Sequence, residues 1–168
     1  MNKCYLAGGC FWCIADYLGS FFGVEKVVAG YSGGEEKEVN YEDVKKQLTG
    51  HRETIEVSYT DDISLDVIVD IFLSYVDPFD KEGQYIDKGH SYTLALYYQN
   101  EKEKALFNKK IKELEDKSTK TPFISIEPFK FFIRAEEDHQ EYSKKNPEAF
   151  YKELVASNRT CHLKKYNS

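Results

Sequence analysis

Short runs of strand-forming residues alternate along this chain with stretches whose apolar residues recur at helical spacing. This alternation narrows the fold more than any other feature. Cys4–Ala7 is a short apolar run ending at Gly8-Gly9, as a buried strand would be. Phe11–Phe22 reads as a helix. Val24–Tyr31, with Val27, Val28 and Ala29, reads as a second strand stopped by Gly33-Gly34. Tyr41–Leu48 is a short helix ended by Gly50. Thr54–Thr60 puts Ile55, Val57 and Tyr59 on one face, the pattern of a half-buried strand. From Ser64, the spacing of Leu65, Ile68, Val69, Phe72, Leu73 and Val76 predicts a helix that Asp77-Pro78 ends. Asp80–Ser91 is polar and holds Gly83 and Gly89, so it reads as a loop, with a strand at Tyr92–Tyr98 after it. Glu101–Lys117 is a charged helix with Phe107, Ile111 and Leu114 on its inner stripe. Ile124–Ile133 gives a strand or two, broken by Pro128. From Asp138 the chain is polar and helical in pieces up to Val155. Helices must cover at least one face of such a sheet, and the elements are too few and short for a doubly wound one. The expected class is α+β, a two-layer sandwich with a mixed β-sheet covered by helices.

The chain has 168 residues, enough for one domain with a real core. With 23 Lys+Arg against 29 Asp+Glu it carries a net charge of −6. That balance argues against nucleic acid or an anionic membrane as the main partner, since polyanions need a basic footprint. No stretch approaches the roughly 18 consecutive apolar residues of a membrane span. No basic-then-apolar leader precedes the first strand, so the expected location is cytoplasmic. The chain reads as a single domain over 1–168, monomeric, with a mobile C-terminal tail from about residue 156. Tyr is abundant, at 13, and could line a pocket as well as fill a core.

Cys4, Cys10, Cys13 and Cys161 are too sparse for a disulfide scaffold in a chain of this size. Gly9-Cys10-Phe11-Trp12-Cys13 follows a strand and opens a helix. A thiol there meets backbone N–H groups with no intrahelical acceptor and the positive end of the helix dipole. Both favour the thiolate, which is the nucleophilic form. One cysteine could attack and the other resolve. Three alternatives stand beside this. In the first, the two are simply buried thiols. A zinc site would need two further ligands, and Cys4, Cys161, His51, His90, His139 and His162 offer no second close pair. A thioredoxin-like oxidoreductase suits strand–CxxC–helix, but Phe11-Trp12 is bulky and apolar, better suited to receiving a small apolar substrate group.

Further along, short motifs recur in a fixed order. They are Gly9-Cys10-Phe11-Trp12, Gly30-Tyr31-Ser32-Gly33-Gly34, Gly50-His51-x-Glu53, Asp87-x-Gly89-x-x-Tyr92, and His139-Gln140-x-Tyr142 with Lys145-Asn146-Pro147. In this order the chain resembles the peptide-methionine (S)-S-oxide reductases, the A-type methionine sulfoxide reductases, from about Leu6 to Pro147. The resemblance implies the same two-layer α+β sandwich, with a ferredoxin-like core and extensions. It implies thiol-dependent reduction of the S epimer of methionine sulfoxide, in oxidised proteins or as the free amino acid. It also implies thioredoxin as reductant, and neither a metal nor a bound organic cofactor.

On these residues, the resemblance makes Cys10 the nucleophile at the sulfoxide sulfur. Glu53 would be the acid that turns the oxygen into a leaving hydroxyl, its pKa raised by desolvation beside Phe11 and Trp12. Tyr41 and Tyr92 would hydrogen-bond the oxygen, Asp87 would orient the substrate, and Phe11 and Trp12 would receive its S-methyl group. His51 is expected to be structural and Cys4 inert. The sulfenic acid left on Cys10 would condense with a second thiol. Many relatives carry that thiol just after the Asn-Pro segment, where this chain has Phe150-Tyr151. Cys13, with a short loop to close, and Cys161, in the tail, remain as candidates, and the loop argument favours Cys13. Thr93 is a second departure, standing where many relatives carry Arg.

Overall fold

A computed structural model describes residues 1–156. Along it run β1 (Asn2–Gly8), α1 (Phe11–Gly19), β2 (Val24–Ser32), α2 (Tyr41–Lys45), β3 (Arg52–Tyr59) and α3 (Leu65–Tyr75). The short strands β4 (Gly83–Gln84) and β5 (Asp87–Lys88) follow, then β6 (Leu94–Tyr98), α4 (Glu101–Asp116), β7 (Ile124–Pro128), β8 (Phe132–Arg134), α5 (Tyr142–Lys145) and α6 (Pro147–Ala156). The expected tail lies outside the described residues, as does Cys161. The fold is α+β with a mixed sheet, as the alternation of elements predicts. Six strands lie in the order β7-β6-β1-β3-β2-β8, antiparallel throughout except for the parallel pair β6–β7. β4 and β5 form a separate two-stranded hairpin inside the expected 80–91 loop.

Side chains alternate between the two faces of each strand. One face presents Cys4, Leu6, Ile55, Val57, Leu94 and Leu96 to Ile14 and Leu18 of α1, Ile68, Val69 and Phe72 of α3, and Phe107 of α4. The other face presents Tyr5, Ala7, Ala95 and Tyr97, covered by Phe129 and Phe132. Tyr5 stacks on Phe129 at 3.9 Å between ring centroids. Both faces of β1 are therefore apolar, which is why Cys4–Ala7 shows no alternation.

Phe72 is fully buried, and it reaches the strand because Gly8 has no side chain: a Cβ there would lie 2.8 Å from Phe72 Cε2. Phe72→Ala is expected to cost about 3–5 kcal/mol of stability, read as a shift in the denaturant midpoint at unchanged slope. Lys110 was not foreseen on the inner side of α4. It is only 7% exposed, and its Nζ donates to Asp66 at 2.6 Å and Asp70 at 2.9 Å, both on α3.

Three segments depart from the sequence expectation. α1 stops at Gly19 instead of Phe22, because Ser20 folds back on Tyr17 O at 2.7 Å and Gly23, at φ +94°, turns the chain into β2. Tyr92 is not on a strand. It closes a 3₁₀ turn, His90–Tyr92, that begins after Gly89 at φ +121°. The segment 124–133 is indeed two strands, yet they sit on opposite edges of the sheet. Six flat strands would hold their outer edges about 24 Å apart. The steps from Pro128 to Phe132 span about 14 Å at most. The sheet is therefore curled, and Tyr97 Oη donates to Ser32 O at 3.3 Å across the closing end.

Candidate active site

The chain leaves β1 through Gly9, at φ +83°, and Cys10 becomes the N-cap of α1 with 6% exposure. The Phe11 N–H, in the first turn, lacks an intrahelical acceptor. It donates instead to Glu53 Oε1 at 3.1 Å. Glu53 is the second residue of β3 and 1% exposed. The expectation of a half-buried strand starting at Thr54 thus misses two residues, and they bring the carboxyl to the helix start that carries Cys10.

Tyr41 opens α2, whose N-cap Asn40 accepts from the Asp43 N–H. Tyr92 is 7% exposed. Both phenols are pushed well above the ordinary tyrosine range, first by burial and then by the negative charge of Glu53, with Cys10 and Asp87 adding to it. That shared set of influences groups Cys10, Glu53, Tyr41, Tyr92 and Asp87 around one place. Both phenols keep their protons at neutral pH and stay hydrogen-bond donors.

Aromatic side chains wall the site. Phe11 is fully buried and Trp12 half-buried. Phe11 lies 6.2 Å from Tyr41 and 5.6 Å from His139, between ring centroids. Trp12 stacks on Tyr142 at 3.9 Å. Its Nε1–H donates to His139 Nδ1 at 3.1 Å, which puts the proton of a neutral His139 on Nε2. Tyr41 and His139 are 4.2 Å apart. A groove of about 610 Å³ flanks Trp12, His139 and Tyr142 and is bounded by Ala15, Asp16 and Val27; neither Cys10 nor Glu53 lines it.

Several supporting residues escaped the sequence reading. Glu136 accepts from Tyr31 Oη at 2.9 Å and from the Tyr41 N–H at 3.0 Å, fixing α2 against β2. Burial works against its charge, but these bonds hold its carboxyl below the usual range. Nothing in the sequence around Glu136 separates it from the acidic residues beside it. Gln140 takes the place of a strand where β8 ends: its side chain bonds both the N–H and the C=O of Ala29, at 2.9 and 2.8 Å. The motif His139-Gln140-x-Tyr142 marked this segment but not what each residue does.

His51 is structural, as expected. It is fully buried, its Nδ1 accepts from the Gly34 N–H at 3.2 Å, and its Nε2 sits 2.7 Å from Glu36 O. Any Cβ on Gly34 would strike the His51 ring at 2.7 Å, so glycine and histidine form one unit. Cys13 is buried at 2% in the first turn of α1. Cys4 is fully buried and its thiol is pushed up by burial and then by Glu103, which fits an inert residue. Phe150, at the place where many relatives carry a thiol, packs into the core at 8% exposure. Among the described residues no cluster of metal-ligating side chains forms and no helix is long and apolar enough to cross a membrane.

The family model for peptide methionine sulfoxide reductase matches residues 2–168. The peptide methionine sulfoxide reductase MsrA of Bacillus velezensis is 38% identical over 163 residues, covering 94% of this chain and 90% of the relative. MsrA 2 of Staphylococcus aureus is 37% identical over 171 residues, covering 99% of this chain and 97% of the relative. Among solved structures, reduced Mxr1 from Saccharomyces cerevisiae superposes with a TM-score of 0.83 at 31% identity, covering 88% of this chain and 86% of that one. Matched along nearly its whole length by model, relatives and fold alike, the chain belongs to the peptide methionine sulfoxide reductases, oxidoreductases that reduce methionine sulfoxide through thiol chemistry.

Proposed function

We propose that the chain reduces the S epimer of methionine sulfoxide, in oxidised proteins or as the free amino acid, with Cys10 as nucleophile and Glu53 as acid. The observation that carries this reading is the bond from the Phe11 N–H to Glu53 Oε1, which pins a buried carboxyl beside the helix start that bears Cys10. The Cys10 thiolate attacks the sulfoxide sulfur while Glu53 gives its proton to the oxygen. The oxygen departs as hydroxide with the S–O electron pair and attacks the Cys10 sulfur; the S–S bond just formed then breaks, methionine leaves with its electron pair, and Cys10 is left as sulfenic acid. Tyr41 and Tyr92 hold that oxygen through their phenol protons, and Asp87 orients the rest of the substrate. Phe11 and Trp12 receive the S-methyl group, with Trp12 braced by Tyr142 and His139.

Recycling needs a second thiol, which attacks the sulfenic sulfur and expels water. Cys13 suits this step because only two residues separate it from Cys10, so little chain has to be closed. Cys161 is the other candidate. A thioredoxin dithiol then reduces the disulfide, so the electrons come from thiols throughout and no metal or organic cofactor enters. A cytoplasmic location, where thiols stay reduced, fits this supply. Cys13→Ser is expected to leave the first turnover intact and block thioredoxin-linked recycling. Unimpaired recycling in that variant would move the role to Cys161.

The finer architecture is part of the same reading. β1-α1-β2-β3-α3-β6, with neighbours in the order β6-β1-β3-β2, supports a ferredoxin-like core, to which α4, β7 and β8 are extensions of a two-layer, single-domain sandwich.

The experiment is a single turnover without reductant on the separated R and S epimers of a methionine sulfoxide peptide. Stoichiometric methionine from the S epimer alone is expected. Methionine from neither epimer would overturn the reading.

A further inference from the structure

The sheet has a gap at the end that carries the proposed reaction residues. β1 lies between β3 and β6, with Leu6 opposite Ile55 and Gly8 opposite Leu94. Past Gly8 the chain leaves the sheet to begin α1 at Cys10. The ladders of β1 end at Ile55 on β3 and at Leu94 on β6, so Arg52 and Glu53 on one side and Tyr92 and Thr93 on the other lie beyond the last residues paired with β1. Glu53 stands on one rim of this gap and Tyr92 on the other.

Arg52, next to Glu53, spans the gap. Its Nε donates to Thr93 Oγ1 at 2.8 Å, and Thr93 is next to Tyr92. Its Nη1 donates to Glu127 Oε2 at 2.7 Å and to Tyr97 Oη at 3.2 Å. Each of these groups is held in turn. The Thr93 hydroxyl donates to His90 O at 2.6 Å, and the Ser125 hydroxyl donates to Glu127 Oε2 at 2.7 Å. Arg52 is only 8% exposed, on the face that carries Tyr97. Burial opposes its charge, yet Tyr97 and Glu127 more than offset that. Burial would likewise raise Glu127, but the bonds from Ser125 and Arg52 hold it below the usual carboxylate range. The guanidinium is the side chain whose planar fork can bond several acceptors at once with little loss of freedom. The threonine that departs from the family pattern at 93 is thus an acceptor in a clamp that closes the back of the site.

We propose that Arg52 is a positioning residue: through Thr93 it sets the separation of Glu53 and Tyr92, so that the acid and the phenol meet the same sulfoxide oxygen. This rests on the roles proposed above for Glu53 and Tyr92. Misplacing a reacting group by about 1 Å can cost about 10²-fold in rate.

The test compares Arg52→Gln, Thr93→Val, Glu53→Gln and the double variant Arg52→Gln/Glu53→Gln, each by single-turnover methionine formation and by kcat and KM with a thioredoxin supply. Arg52→Gln is expected to slow the single turnover about 10–100-fold, with KM within about threefold of the parent. Thr93→Val, which removes one hydroxyl at constant volume, should act in the same direction but less. In the Glu53→Gln background, Arg52→Gln should cost no more than about threefold further, because the group it positions is already lost. A fully additive loss, or a loss carried by KM, would make Arg52 a stabilising residue only and overturn the proposal. If Arg52→Gln does not fold, Thr93→Val decides, and an unchanged kcat there overturns it. An impaired Glu53→Gln beside an unimpaired Arg52→Gln removes this proposal alone. A fully active Glu53→Gln removes the acid role and this proposal with it.

Discussion

Cys10→Ser is expected to abolish methionine formation even in a single turnover, while leaving the fold intact. Serine is close to cysteine in size, and the site at the N-cap of α1 is one where a hydroxyl is well tolerated, so unfolding is not the expected result. What disappears is the thiolate. A serine hydroxyl has no comparable anion near neutral pH, whereas a thiol at a helix N-terminus does. The oxygen also has no acceptor sulfur left, so the sulfenic acid cannot form. The measurement is methionine released per mole of protein, with circular dichroism as the control for folding. Release at the parent level would pass the nucleophile's role to Cys13, the nearest other thiol on α1.

Glu53→Gln is expected to slow methionine formation by about 10²–10⁴-fold, the range for loss of a general acid. The amide can still accept from the Phe11 N–H, which keeps the loop and helix start in place. It cannot give up a proton to the departing oxygen. Two effects compete at the parent carboxyl. Burial at 1% exposure favours the protonated acid, while the backbone N–H and the helix dipole favour the anion. Because the acid form is the active one, the parent rate should fall as pH rises through the ionisation of Glu53, and that limb should be absent in Glu53→Gln. A parent-like rate, or a parent-like alkaline limb, in the variant would remove Glu53 from the acid role.

Much of the fold was open to a reading of local patterns. The stripe Ile68, Val69 and Phe72 names a core face by periodicity, and the continuous apolar run Cys4–Ala7 names a strand buried on both faces. The pattern of Thr54–Thr60 marks a strand but not its start, because Arg52 and Glu53 are charged and a strand-end charge is normally solvated. The clamp across the gap and the Phe11 N–H give these two charged residues partners where they are buried. Tyr92 continues an aromatic, strand-like run into β6, so its local pattern reads as strand. The turn that removes it depends on Gly89, whose positive φ the composition alone does not reveal. The edges of the sheet were beyond reach for a different reason, since pairing partners of β7 and β8 are chosen by tertiary packing and not by their own sequences.

By itself, the sequence determined the α+β class, the strand–cysteine–helix turn at Gly9–Cys13, and the set of residues proposed to carry the family's chemistry. Each of these is written in short windows, where propensity, periodicity and motif act. The tertiary structure alone decided that Glu53 is buried against a helix start 42 residues away, that Trp12 is held by His139 from 127 residues away, and that Arg52 bridges the gap β1 leaves. Buried polar groups must find partners, and in a curled sheet those partners come from whichever distant segments packing brings alongside.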